Sequence, residues 1–294
     1  MRIASLSQYP IKGCGGMALE EAEVDDSGLR GDRLLFLVDE KGRGLGQVEH
    51  PRMVLIQARI IGADLSATAP GQGSLEVRVL EQGESRPTQH WLQKAPAVDQ
   101  GDQASRWFSE ILGTPCRLMG SSAVHERSAP EKYRHIFPAK QRRFTAVAPI
   151  LLTSAASLDD LNGRIAKPIR MNRFRQNVVV AGGAPFHEEW WARLRIGEME
   201  FEKVATSERC SVTQFDQETA ERGIEPIRTL AKYRRQPGGV DGGLVFGVYF
   251  RPLAPGALRV GDEVTVLETQ DRFVPNDRAA VLAEADLPIR PSDL

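Results

Sequence analysis

Short apolar segments separated by turn-forming residues dominate the first third of the chain. Arg33–Glu40 and Arg52–Ile61 are rich in aliphatic and β-branched residues and are bounded by Gly or Pro, a pattern typical of β-strands. Between them, Lys41–Gly46 predicts a hairpin turn rather than a phosphate-binding loop, because no helical pattern follows its glycines. The strands predicted for this region cover residues 2–8, 17–24, 34–39, 53–61 and 75–80.

Helical periodicity is clearest over Gln103–Leu112, where apolar residues recur at i, i+3, i+4, i+7 and i+8 and share one face. Asp102 is expected to cap the start of this helix and Gly113 to end it. A strand at Cys116–Met119 is expected next, followed by a polar, basic and irregular stretch over residues 120–143 that predicts a domain boundary or a long functional loop.

The second half returns to short strands with two short helices. Helices are predicted from Ser154 to Asn162 and over Pro226–Tyr233, and Gly197 predicts a hairpin. The strands predicted here are Ala148–Thr153, Asn177–Ala181, Leu194–Ile196, Met199–Ala205, Leu244–Phe250 and Glu263–Leu267. The overall pattern is that of an α+β, strand-dominated protein with domains at 1–120 and 121–269 and a charged tail at 270–294.

Composition narrows the functional classes. The 294 residues carry 38 Lys and Arg against 39 Asp and Glu, a net charge of −1 that gives no global argument for binding nucleic acid duplexes or membrane surfaces. No apolar run approaches the ~20 residues of a membrane span, and the chain start lacks a signal-peptide core, so a cytoplasmic protein is expected. Three widely spaced cysteines make a disulfide framework or a structural zinc site unlikely.

Two local features suggest chemistry. Ten Lys and Arg lie between Lys132 and Arg175 against two Asp, which indicates an anion-binding site or a solvated basic face. Cys210 follows Arg209 directly after a predicted strand, and an adjacent Arg favours the thiolate, a nucleophile and soft-metal ligand. The alternative for Cys210 is a buried structural cysteine.

Six short motifs then occur in one order. They are Tyr9–Lys12 (YPIK), Gly28–Arg33 (GLRGDR), Leu152–Asn162, Phe174–Val178 (FRQNV), Ser207–Cys210 (SERC) and Phe246–Phe250 (FGVYF). Together they resemble the MOSC family (molybdenum cofactor sulfurase C-terminal domain), and more closely the branch containing the mitochondrial amidoxime-reducing component and its bacterial relatives. The resemblance covers about residues 1–268 and implies an N-terminal β-barrel-like domain followed by a MOSC β-barrel domain with a few short helices.

The resemblance also implies a cofactor, the molybdenum cofactor (Mo-molybdopterin), and a set of residues that hold it. Cys210 matches the family's molybdenum ligand. The positions that match other cofactor contacts, or neighbours of the site, are Lys12, Arg33, Ser154, Ser157, Arg175, Asn177, Arg209 and Tyr249. For Lys12, Arg33 and Tyr249 the alternative is surface charge and core packing. The chain departs from the family pattern at Gly13, where a Ser is usual, and at Glu208, where a small polar residue is common.

The implied activity is reduction of small N-hydroxylated compounds, such as amidoximes and hydroxylamines, at molybdenum. Asp216 is a candidate for proton delivery, with a turn residue as the alternative. No four-cysteine ferredoxin domain is present, so the electrons would come from a separate donor protein of the ferredoxin, flavin or haem type. Two other functions stay open: a carrier that uses Cys210 to hold molybdenum cofactor or sulfur without turnover, and a non-catalytic anion-binding module.

Overall fold

A computed structural model describes residues 1–90, 93–122, 143–236 and 243–269. These residues form an α+β fold in which strands dominate, as predicted. The helices are α1 (Asp102–Leu112), α2 (Ala155–Asn162) and α3 (Ile227–Tyr233), with short 3-10 helices at Pro51–Leu55, Met171–Phe174, His187–Trp190 and Ser211–Gln214. The strands are β1 (Arg2–Gln8), β2 (Met17–Leu19), β3 (Glu21–Asp25), β4 (Gly28–Leu29), β5 (Leu35–Val38), β6 (Gln57–Ile61), β7 (Asp64–Ala69), β8 (Gln72–Arg78), β9 (Ser85–His90), β10 (Gln93–Asp99), β11 (Arg117–Gly120), β12 (Ile150–Ser154), β13 (Val178–Ala181), β14 (Trp191–Ile196), β15 (Met199–Glu208), β16 (Val245–Pro252), β17 (Gly256–Arg259) and β18 (Val264–Thr269).

The largest sheet combines both ends of the chain. Its eight strands run in the order β18-β14-β15-β16-β12-β13-β1-β2, so the first two strands lie in the sheet of the second half. β12 and β13 pair in parallel, and the other neighbours in this sheet are antiparallel. β17 likewise pairs with β3 in a three-stranded sheet. The two halves of the sequence therefore share strands.

Side-chain alternation along the central strands separates the core from the opposite face. Leu152 on β12 and Val248 on β16 oppose each other and belong to the main hydrophobic core. Leu151 and Tyr249 form the next pair in the register and point to the other face, because successive side chains alternate along a strand. Asn177 lies next to Leu151, because its backbone N–H donates to the carbonyl of Leu151. This second face carries the candidate site.

The first half has its own core under α1. Trp107 and Phe108 of this helix are buried, as its periodicity predicts. Gly113 ends α1 in the left-handed conformation, at φ 66°, as expected. The N-cap is Gly101, so the prediction for Asp102 is wrong by one position: Asp102 is the first residue of the helix and lies near its positive end.

Several predicted strands have different limits. Residues 51–55 begin with a Pro and form a 3-10 helix, so only the second part of the predicted strand 53–61 is a strand, β6. The predicted strand 17–24 is divided into β2 and β3, which join different sheets. Most of the predicted boundary or loop at 120–143, namely residues 123–142, and the tail 270–294 lie outside the described residues. No helix in the described ranges is both long and apolar enough to cross a membrane.

Candidate cofactor site

Cys210 lies at the surface where β15 ends. It is exposed, whereas Cys14 and Cys116 are buried in the core of the first half. Its backbone starts the 3-10 helix Ser211–Gln214, which turns the chain away from the sheet. The thiol is therefore open to a ligand from solvent, and the alternative of a sealed structural cysteine is wrong for this position.

The guanidinium of the neighbouring Arg209 is buried against backbone carbonyls. Nε donates to the carbonyl of Phe246 at 2.7 Å, and Nη2 donates to the same carbonyl. Nη1 donates to the carbonyl of Phe174 at 3.2 Å. Burial lowers the pKa of Arg209 to about 10. No carboxylate of the described residues lies within salt-bridge distance of it. A buried charge without a counter-ion is costly and favours an anion at the site.

Arg33 connects the first half to the second. Its Nη2 donates to the carbonyl of Arg175 at 2.7 Å, and its Nη1 donates to Oδ1 of Asn177 at 3.0 Å and to Asp32. Burial opposes the charged form of Arg33, but the Asp32 carboxylate outweighs it and holds the pKa above the ordinary value. The chain therefore fixes this cation between the two halves at the sheet face described above.

Arg175 lies beside Arg33 without a carboxylate of its own. Its Nη1 donates to the carbonyl of Cys14 at 2.6 Å and more weakly to Gln217 at 3.5 Å. Burial, with the positive field of Arg33 as a further cause, lowers the pKa of Arg175 to about 10. Within the described ranges no carboxylate forms a salt bridge to Arg175, so this second guanidinium also lacks a neutralising partner.

Asn177 and Tyr249 complete this face of the sheet. The Asn177 carboxamide accepts from the N–H of Leu151 at 3.1 Å and donates to the carbonyl of Ser7 at 3.2 Å, so it joins β12 to β1 and orients Arg33. Tyr249 is half-buried on β16, close enough to Arg33 and Arg209 to favour their charged forms. Asn177 thus acts on the site by holding its strands and a cation in place.

The two predicted serines have different environments. Ser154 caps α2 by position, yet its buried hydroxyl has no hydrogen-bond partner among the described residues. Ser157 is fully buried; its hydroxyl donates to Glu188, with Oε1 at 2.7 Å, and accepts from the N–H of Phe186 at 2.8 Å. The Ser157 hydroxyl is thus used to bind a buried carboxyl group, and a cofactor contact of Ser157 stays a prediction.

Lys12 and Asp216 are the remaining predicted site residues. Lys12 is half-buried, and its N–H donates to the carbonyl of Leu35 at 2.8 Å. Both carboxylate oxygens of Asp216 have partners: Oδ1 accepts from the N–H groups of Glu218 and Thr219, and Oδ2 from Arg173 at 2.9 Å. These contacts are those of a turn residue, the alternative noted from the sequence.

The described part of the basic stretch, residues 143–175, is divided among several local contacts. Among its described members, ion pairs with nearby carboxylates are made by Arg143 (Asp25), Arg164 (Asp160), Arg170 (Glu218) and Arg173 (Asp216). Arg175 is the member that lies beside Arg33, with both guanidinium groups over the ring of Tyr9. Density of positive charge along the sequence is therefore a poor guide to the site, and Arg175 differs from its arginine neighbours in forming no salt bridge to a carboxylate of the described residues.

Sequence reasoning missed two polar groups and one aromatic residue. The side-chain oxygens of Gln176 and Ser207 are buried and, like that of Ser154, have no partner among the described residues. Both residues belong to motifs quoted above, which is the signal that could have identified them. Tyr9, also within a motif, packs its ring against both Arg33 and Arg175. Buried polar groups normally find partners, so these atoms indicate a missing polar ligand.

Comparison with known proteins identifies the family of this chain. Residues 1–115 match the model of the MOSC N-terminal β-barrel domain and residues 139–265 that of the MOSC domain. Mitochondrial amidoxime reducing component 2 of Bos taurus is 30% identical over 281 residues, covering 89% of this chain and 82% of that protein. Molybdenum cofactor sulfurase of Danio rerio is 30% identical and covers 92% of this chain but 35% of the sulfurase. The crystal structure of the YuaD protein of Bacillus subtilis has 11% identity and a TM-score of 0.39, covering 90% of this chain and 93% of that one.

The chain belongs to the MOSC family and contains both its N-terminal β-barrel domain and its MOSC domain. Within that family it is similar over most of its length to the mitochondrial amidoxime-reducing components, whereas the sulfurase extends far beyond the matched part.

Proposed function

We propose that this protein is a molybdenum-cofactor-dependent oxidoreductase that reduces small N-hydroxylated compounds. The observation that carries the proposal is the exposed thiol of Cys210 next to a group of guanidinium ions, two of which, Arg175 and Arg209, have no carboxylate partner in the described structure. Relatives named for amidoxime reduction, at 30% identity over most of the chain, support the same chemistry.

The residues present fit the molybdenum cofactor. Its terminal phosphate requires cations, which Arg33 and Arg175 supply, and its pterin requires polar partners, which the unpartnered oxygens of Ser154, Gln176 and Ser207 can provide in part. Its metal requires a soft ligand, the thiolate of Cys210. When bound, the cofactor supplies a metal centre that takes up oxygen from an N–O bond and exchanges two electrons.

The residues around Cys210 are proposed to position the cofactor and to favour the thiolate. Arg209 is fixed by three hydrogen bonds to carbonyls and keeps a positive charge next to Cys210, which favours the thiolate. Lys12 and Tyr249 border the same cluster and are proposed as further cofactor contacts. The net reaction converts an N-hydroxyl compound, two electrons and two protons into the reduced nitrogen compound and water.

The electrons are proposed to come from a separate ferredoxin-, flavin- or haem-type protein. An assay with an artificial donor avoids the need to identify it. Asp216 is proposed as a candidate for proton delivery, although both of its carboxylate oxygens already accept hydrogen bonds.

The deciding experiment is elemental analysis of protein made in a host that synthesises the molybdenum cofactor. Stoichiometric molybdenum, together with reduction of benzamidoxime by chemically reduced methyl viologen, is the expected result. Cys210→Ser should lose both, while Cys116→Ser, which changes a buried thiol in the first half, should keep both.

Each other outcome has a defined meaning. Molybdenum without turnover would reject the reductase and favour a carrier that holds cofactor at Cys210. Absence of molybdenum from the wild-type protein would reject both and leave an anion-binding module.

A further inference from the structure

One aromatic ring contacts both cations of the site. The guanidinium carbon of Arg33 lies 4.8 Å from the centroid of the Tyr9 ring, and that of Arg175 lies 4.5 Å from it. Both distances are within the range of cation–π attraction, in which the negative face of the ring attracts a positive group. Two like charges from distant parts of the sequence are thus held against a single side chain.

The ring itself is firmly placed. Tyr9 is 3% exposed, and its N–H donates to Oδ1 of Asp32 at 2.8 Å. The ring packs so closely on Gly16 that a Cβ at that position would lie 2.4 Å from two ring atoms. Gly16 therefore gives the ring the space it needs, and Tyr9 has little freedom to move away from the two guanidinium groups.

The backbone of both arginines is strained. Arg33 has φ 45° and Arg175 has φ 54°, so they account for two of the four non-glycine residues with positive φ in the described ranges. The left-handed region is unfavourable for side chains with a Cβ, and such strain persists where surrounding contacts enforce it. Here it directs two side chains from separate loops to the same ring.

Stacking leaves the hydrogen-bonding edge of Arg175 available. Its Nη1 donates to the carbonyl of Cys14 and to Oε1 of Gln217. Its Nε and Nη2 donate to no described residue, and neither is a buried atom without a partner. A guanidinium can bind an aromatic ring through its face and an oxyanion through its edge at the same time. The ring thus stabilises the cation without occupying the donors that an anion would use.

We propose that Tyr9 is a positioning residue for anion binding: its ring takes the place of a carboxylate beside Arg175 and holds Arg33 and Arg175 as a preformed oxyanion receptor. A carboxylate beside Arg175 would pair with it, as Asp32 pairs with Arg33, and would compete with the ligand, whereas a ring does neither. That the natural anion is the phosphate of the cofactor rests on the proposed function. The positioning role itself is a property of the cofactor-free chain.

The test uses the full chain from a host that makes no molybdenum cofactor, with inorganic phosphate as the probe in calorimetric titrations at constant ionic strength. Tyr9→Phe, which keeps the ring, should bind phosphate as the wild type does. Tyr9→Leu, which removes the ring, should bind it about tenfold more weakly. Tyr233→Leu is the matched control, because Tyr233 also has a guanidinium over its ring, that of Arg164 at 4.3 Å, and should leave phosphate affinity unchanged.

A second series keeps the shape of the side chain and so avoids misfolding. Phenylalanine at position 9 with one, two or three ring fluorines weakens the negative ring face in steps, and phosphate affinity should fall in the same order. A purely structural role for Tyr9 would change the unfolding temperature without this trend.

The proposal is overturned if Tyr9→Leu and the trifluorinated variant bind phosphate as tightly as the wild type, or if the wild type fails to bind phosphate at millimolar concentrations. Failure of the reductase proposal is distinct, since it would appear as missing molybdenum or turnover while the phosphate results stand.

Discussion

Oδ2 of Asp216 lies 2.9 Å from Nη2 of Arg173, and the same arginine donates through Nη1 to the carbonyl of Gln214 at 2.8 Å. Arg173 therefore ties the segment that follows Cys210 to the 3-10 helix preceding Arg175. This contact makes Asp216 a support of the site's geometry.

Asp216→Asn tests that role. Asparagine keeps the oxygen that accepts from Glu218 and Thr219 but removes the charge opposite Arg173, so we expect the turn to survive and turnover to fall by no more than about threefold, the scale of a partly exposed ion pair. Steady-state kinetics against pH provide the measurement. A loss beyond a hundredfold with a changed pH profile would instead identify Asp216 as the proton donor.

The three thiols should differ sharply in reactivity. In the cofactor-free protein at pH 8 we expect rapid alkylation of Cys210 alone, because it is exposed. Burial raises the pKa of Cys14 to about 12 and also raises that of Cys116, so both should react only after unfolding. Peptide mass spectrometry after timed iodoacetamide treatment identifies the modified residue. Fast labelling of Cys14 in the native protein would contradict the described packing.

Glu188 should make stability depend on pH. Burial raises its pKa to about 7 from 4.5, so between these values the folded state holds a proton that the unfolded state has released. Stability should therefore fall as pH rises through this window, by on the order of 3 kcal/mol. Urea unfolding of Glu188→Gln should lack this loss.

Ser157→Ala provides the second arm of that experiment. It removes the hydroxyl that donates to the ionised carboxylate, so the midpoint of the stability loss should shift to higher pH. Equal pH dependence in wild type and Glu188→Gln would show that other groups control it.

Gly247→Ala should disturb the site by displacing Arg209. Gly247 has φ 84°, and a Cβ there would lie 2.8 Å from the carbonyl oxygen of Leu152 and 3.3 Å from Nη2 of Arg209. We expect a loss of about 2 kcal/mol in the free energy of unfolding, with reduced molybdenum content. Gly71 also has a positive φ, 76°, but has open space around it. Gly71→Ala is therefore the control that separates the cost of backbone strain from the cost of steric contact.

The sequence predicted elements whose pattern is local and missed those whose pattern is not. α1 has a strong apolar periodicity, and its limits were close to those observed. By contrast, β9 (Ser85–His90) is mostly polar and only partly buried, so no alternation marks it. The division of residues 17–24 between two sheets also depends on β17, which pairs with β3 from more than two hundred residues further along the chain, whereas β2 pairs with the nearby β1.

Candidate site residues followed the same rule. The SERC and FRQN motifs identified Cys210, Arg209 and Arg175, which lie in one cluster with Arg33. The contact of Ser157 with Glu188 could not be predicted, because tertiary packing that no local pattern reveals brings the two residues together. The role of Tyr9 depends on a ring shared by two arginines, and such sharing becomes visible only in three dimensions.

The placement of β1 beside β13 has a consequence for biosynthesis. β1 cannot complete its pairing until residues 178–181 have been synthesised, well over a hundred residues later. During that interval its edge is available to chaperones or to misassembly. A fragment that lacks β1 and β2 would leave the edge of β13 unpaired. Deleting these strands should therefore abolish ligand binding in addition to disrupting the first domain.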